Sequence, residues 1–291
     1  MRVTIGRGHN APGRPPLAAS SGVTVTSDVA DFTSVDAKVQ RAEQHISDLQ
    51  RAVREFVQSN PYEAVVQDDP DDAECQQMIL RIHRAIPIEI PLITGDAVHT
   101  LRTALDHLVC VAVEANGGTV TNQTAFPVWR SPRTPTADEY RGLVLRKAKG
   151  AAQALIDLLL GLQPYEGGNH EALWALDYLD ARDKHRLLLE ALASHKHLIL
   201  DFGSVFGPEV AAELEPGALA IGFVPADRFP LEDGHVLFKG PPEQMQNMKP
   251  QAAIEIALGE PGPLKGKAAL PELTNLVQFT ASVIDSLRAV I

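Results

Sequence analysis

Between Asp96 and Asn116 the chain places Val98, Leu101, Leu105, Leu108 and Ala112 at spacings of three and four, the period of a helix with one buried face. Charged residues fall on an apolar arc beside that face. On a helical wheel His99, Arg102 and Asp106 lie within about 60° of one another, together with Val109 and Val113, which imply burial. A second run repeats the conflict: Asp177, Asp180 and Lys184 interrupt the stripe of Leu173, Leu176 and Leu187. Taking one ion out of water without a partner costs several kcal/mol even after relaxation. Two such helices therefore constrain each other, and the expectation is that they lie side by side and neutralise one another. Arg102 and Asp106 can pair at i, i+4. Across the interface, Asp177 and Asp180 are expected to satisfy Arg102, while His99 and Asp106 meet Lys184 or Arg186.

The rest of the pattern supplies the frame. A stripe through Val35, Val39, Ala42, Ile46, Leu49, Val53 and Phe56 predicts a helix over 34–58, with Ser34 as N-cap and Pro61 beyond its end. Tyr62–Val66 and Met78–Ile90 read as a hairpin around an acidic connector, 68–74, which lacks the glycine and distal glutamate of a calcium loop. Beyond the 96–116 helix, closed at Gly117-Gly118, helices are expected at 137–145 and 151–162, and a long one, capped by Asn169, at 169–194. Strand-like segments follow at 197–202, 218–224, 235–238 and 252–257, and a last helix at 270–290. Residues 1–32 show no sustained period and read as a peripheral N-terminal arm, and Gly6, Gly8 and Gly13 do not have GxGxxG spacing. The expected architecture is α+β: residues 33–291 as one domain, a helical bundle with a small antiparallel sheet built from the hairpin and the C-terminal strands.

Charge and cysteine usage narrow the function classes. With 26 basic against 37 acidic side chains the 291-residue chain carries −11, which disfavours a general coat for duplex nucleic acid. No apolar run approaches the roughly 20 residues of a membrane span, no secretory signal is recognisable, and Cys75 and Cys110 lack CxxC spacing, so a cytoplasmic protein is expected. His195 and His197 could start a zinc site with Asp201 or His185. His99, Asp106, His107, Asp177, Asp180 and His185 could form a carboxylate–histidine centre, but the Glu-x-x-His pattern is absent. No metal or cofactor is implied. A hydrolytic serine lacks its G-x-S-x-G context. Arg141, Arg146, Lys147 and Lys149 form a modest basic patch, and Trp129 and Trp174 are either core anchors or ligand-contacting rings.

Residues 95–108 (GDAVHTLRTALDHL) and 173–189 (LWALDYLDARDKHRLLL), with 41–49 (RAEQHISDL), resemble a group of uncharacterised actinobacterial and phage-associated helical proteins over most of residues 38–290. That resemblance implies no activity. More locally, Arg102 to His107 resembles the Arg-x4-His motif of HEPN-type ribonucleases, with Thr103 where those enzymes favour a more polar amide or acid. The resemblance implies a helical, often dimeric protein that cuts RNA without metal, with His107 as general acid or base and Arg102 stabilising charge on the scissile phosphate. Residues five apart on a helix project about 140° from each other, so a shared site would need two copies of the helix to cross in a homodimer. Two function classes follow: a metal-independent RNA-cleaving effector, or a noncatalytic binding or assembly module whose buried charges are structural. The partners expected are RNA or another anionic ligand and a second copy of the chain, with no membrane.

Overall fold

The computed structural model describes residues 30–184, 192–200, 220–222, 231–246, 251–259 and 262–291. The expected arm, apart from its last residues, lies outside them, as do His185, Arg186 and Asp201. The helices are α1 (Thr33–Gln58), α2 (Glu89–Ala115), α3 (Ala137–Lys147), α4 (Gln153–Leu162), α5 (Glu171–Asp183), the short α6 (Pro242–Gln246) and α7 (Ala269–Arg288). The strands are β1 (Tyr62–Asp68), β2 (Gln76–Ile82), β3 (Leu192–Leu200), β4 (Ala220–Gly222), β5 (Val236–Gly240) and β6 (Gln251–Ala257). This is an α+β fold dominated by its helices. Among the described residues no helix is long and apolar enough to cross a membrane.

Helix α2 is the spine. Ile90, Val98, Leu101, Leu105, Leu108, Val109 and Val113 are all buried along it, and α1, α5 and α7 pack around it. Its leading residues were expected to continue a strand as far as Ile90, because Ile86, Ile88 and Ile90 are β-branched. The structure instead starts the helix at Glu89. Pro91 falls in the first turn, where its missing N–H would have had no intrahelical partner, and burial of Ile90 and Thr94 outweighs a propensity of tenths of a kcal/mol.

Three further expectations are corrected. Ser34 lies inside α1; the residue that meets the first turn is Asp31, whose carboxylate accepts from the Thr33 N–H at 2.9 Å. Helix α5 starts at Glu171, not at an Asn169 cap, and it stops at Asp183. Leu192 to Ser194, expected at the end of that helix, belong to β3. Of the expected C-terminal strands, β5 joins the hairpin, but β3, β4 and β6 form a second sheet. β1–β2–β5 form one antiparallel sheet and β4–β3–β6 another. The first packs Met78 against Met245 of α6, a satellite core separate from the main one. The second delivers the end of β6, with Ile256 and Leu258, into the main core. The Leu258 N–H then bonds Lys267 O at 2.9 Å, just ahead of α7.

Candidate functional site

The ions on α2 and α5 meet in two rungs. Arg102 Nε donates to Asp177 Oδ1 at 2.8 Å, and one turn away His99 Nδ1 lies 2.7 Å from Asp180 Oδ1. As the number rises by three on α2 it falls by three on α5, so the helices run antiparallel and the rungs are spaced by about one helical turn. That matching explains a departure from the expected pairing. Asp180 takes His99 and Lys184 (2.6 Å) and not Arg102, since Asp177 already faces the guanidinium. Asp106 turns to its own helix and to the following loop, where its Oδ1 accepts from Arg102 Nη1 (2.6 Å) and from the Phe126 N–H (2.8 Å). Arg186 lies outside the described residues.

All three guanidinium nitrogens of Arg102 are engaged, Nη2 donating to Phe126 O at 3.2 Å, and only 6% of the residue is exposed. Burial works against its charge, but Asp106 and Asp177 more than offset it and hold the pKa above the ordinary value. Asp177 is the mirror image. Burial pushes its carboxyl up, and hydrogen bonds and charge from Arg130 and Arg102 pull it further down, so it stays ionised well into acid.

Arg130 is the residue that sequence reasoning missed. It forks onto Asp177, Nε to Oδ2 at 2.6 Å and Nη2 to Oδ1 at 2.9 Å, in the side-on geometry that suits a guanidinium and a carboxylate. A signal was present. Asp106, Asp177 and Asp180 on buried arcs outnumber Arg102, and Arg130 follows Phe126-Pro127-Val128-Trp129, apolar anchors able to hold a loop against the bundle. Phe126 and Val128 are in fact buried, and the Trp129 N–H bonds Pro164 O at 3.2 Å.

Two clefts open on either side of the Arg130–Asp177 pair, and both residues line both clefts. The smaller, about 430 Å³, is walled by Arg102, Asp106, Phe126, Trp129, Arg146 and Lys147 besides the shared pair. Its four cations face two carboxylates. The larger, about 1020 Å³, lies between α5, α7 and the 262–267 turn and carries Trp174, Tyr178, Leu264, Leu276 and Phe279. Gly262 (φ +152°) lets the turn close onto the Tyr178 ring, since a Cβ there would come within 2.7 Å of its Cε1. Glu166, Glu171 and Glu272 give this second cleft the opposite charge character, against Lys267.

His107 is half-buried and lines neither of these clefts, so the fold does not bring it to Arg102 within one chain. Arg146 and Lys147 of the expected basic patch reach the small cleft; Arg141 and Lys149 do not. His195 and His197 lie in β3 across a register shift opposite β6, and their expected third ligands fall outside the described residues. Among the described residues no three His, Cys, Asp or Glu side chains converge in a way that could hold a metal. The tryptophans divide between the clefts, Trp129 in the small one and Trp174 in the large one. Compared with family models, with curated proteins and with solved structures, the chain finds no match.

Proposed function

We propose that the protein is a noncatalytic binding module that holds a small anionic ligand in the cleft beside Arg130, with the buried ions of α2 and α5 acting as its scaffold. The observation that carries this reading is the concentration of Arg102, Arg130, Arg146 and Lys147 around one cleft of a chain whose net charge is −11. A local cationic well in a repelling field selects a compact anion that reaches the well and disfavours a long polyanion spread over the surface. Arg102 forms the floor and is already saturated. Arg130 keeps Nη1 without a partner among the described residues, and so do the cationic heads of Arg146 and Lys147. These three are the groups that would meet the ligand.

The test is calorimetric titration with inorganic phosphate at low and physiological salt, for wild type and an Arg146→Gln/Lys147→Gln variant. Saturable one-site binding, weakened by salt and reduced about tenfold or more in the variant, is expected from the loss of charge-assisted hydrogen bonds. Indistinguishable heats for the two proteins would remove the reading.

The RNA-cleaving reading has one observation in its favour, the position of Arg102 at the floor of a cationic cleft. It draws less support from the rest. Arg102 has no nitrogen left without a partner, and His107 would have to come from a second copy. Its test is single-turnover cleavage of an RNA panel by wild type and His107→Ala, where equal background rates would end it.

A further inference from the structure

The two clefts meet at the ion pair they share, Arg130 and Asp177, and their linings differ in character. Arg130 is 61% exposed along its side chain and lies at the shared rim, with Asp177 beneath it. On one side the lining is cationic. On the other it is aromatic and acidic: Trp174 and Tyr178, with ring centroids 5.8 Å apart, and Phe279 line it together with Glu166, Glu171 and Glu272. Trp174 precedes Asp177 by three residues on α5 and Tyr178 follows it directly, so both aromatic residues start within about one helical turn, roughly 5 Å of rise, of the residue that Arg130 grips.

An anion cannot profit from the acidic side, and a bare anion leaves the aromatic side empty. A ligand with a charged head and an uncharged planar body uses both. From this we infer that the natural ligand is an aromatic phosphomonoester. Its phosphate lies against Arg130 Nη1, Arg146 and Lys147, and its ring passes over the Arg130 rim to pack on Trp174, Tyr178 and Phe279. This rests on the anion-binding reading and narrows its ligand class. The positions of the two tryptophans, one per cleft, make the two claims separable.

The experiment titrates inorganic phosphate, glycerol 3-phosphate and phenyl phosphate into Trp129→Phe, which reports from Trp174 alone, and into Trp174→Phe, which reports from Trp129 alone. The expected result is a Trp129 response to all three, a Trp174 response to phenyl phosphate only, and binding of phenyl phosphate about tenfold or more tighter than of glycerol 3-phosphate, as ring packing against aromatic side chains supplies. In an otherwise wild-type chain Phe279→Ala should abolish that advantage, which guards against a misfolded tryptophan variant. A Trp129 response with equal affinities for all three ligands and a silent Trp174 overturns this inference and leaves the anion-binding reading standing. Silence from both tryptophans, with no heat of binding, overturns the two together.

Discussion

Arg102 and Asp177 lie seventy-five residues apart in the chain and are joined by a 2.8 Å bond from Nε to Oδ1 where 6% and 1% of their respective surfaces reach solvent. The bond fixes α5 against α2 at one register, because a slide by one residue would strand both ions among leucines. Asp177→Ala removes the carboxylate on which both Arg102 and Arg130 depend and should cost about 3–5 kcal/mol, the usual penalty for breaking a buried pair from one side. Arg102→Ala should cost less, since Arg130 would still hold Asp177. Arg130→Ala, at an exposed side chain, should cost no more than about 1 kcal/mol. Urea unfolding of the three variants gives the ranking directly, and equal costs for Asp177→Ala and Arg130→Ala would mean that the network does not set the register.

Acid should weaken the fold in two stages. His45 is buried between α1 and α2, where desolvation and the nearby Arg41 depress its pKa below the usual 6.5 against the opposing pull of Asp96 and Asp48. The unfolded chain therefore takes up this proton first, and the contribution is complete above about pH 6.5 and lost as pH falls below it. Asp177 follows. Its depressed pKa makes its contribution complete above about pH 4 and lost on further acidification. Asp183 works in the opposite sense, because burial with Asp180 and Asp96 nearby raises its pKa and protonation relieves the folded state first. In a denaturant series from pH 7.5 to 5, His45→Gln should lose clearly less stability than wild type.

The helical part of the fold was legible because its cause is local. A stripe such as Val35, Ala42, Leu49 and Phe56 can be buried only on a helix, and all four are buried. The ionic site was legible for a related reason: an ion on an apolar stripe demands a partner, and a second helix with the same conflict offers one. What sequence could not give was the pairing, since Asp180 and Asp177 differ by a single turn and only the antiparallel packing decides which of them faces Arg102. The strand expectation at 86–90 failed because isoleucine content measures fit to a half-buried surface and α2 offers such a surface too. Arg130 escaped because a loop residue carries no period.

The loop that presents Arg130 is anchored downstream by the start of α3. Thr136 and Glu139 form a capping box, Arg133 pairs with Glu139, and the Arg133 guanidinium lies 5.6 Å from the Trp129 ring centroid. The contacts hold Glu139 ionised down to about 2, chiefly through its hydrogen bonds with Arg133 and the Thr136 backbone. Thr136→Ala should lower stability by about 1 kcal/mol, the ordinary loss of an N-cap. Because the same segment positions Arg130, it should also weaken phosphate binding several-fold. Calorimetry on the folded variant separates the two effects, and unchanged affinity would show that Arg130 is held by Asp177 alone.

Gly95 offers the sharpest test of how closely α2 and α5 approach. A Cβ at this position would lie 2.8 Å from Asp183 Cγ, well inside contact distance. Alanine in a helix interior is otherwise better than glycine by about 0.8–1.0 kcal/mol. The two effects oppose each other, and Asp183 decides the sign. In the wild-type background Gly95→Ala should be neutral or destabilising, because the new Cβ has to displace the Asp183 carboxylate, whose charge Asp180 and Asp96 already crowd. In an Asp183→Ala background the same change should stabilise by about the full propensity difference. The double-mutant cycle should therefore return a coupling of about 1 kcal/mol or more; additive effects would place α5 farther from α2 than the rungs at Asp177 and Asp180 require.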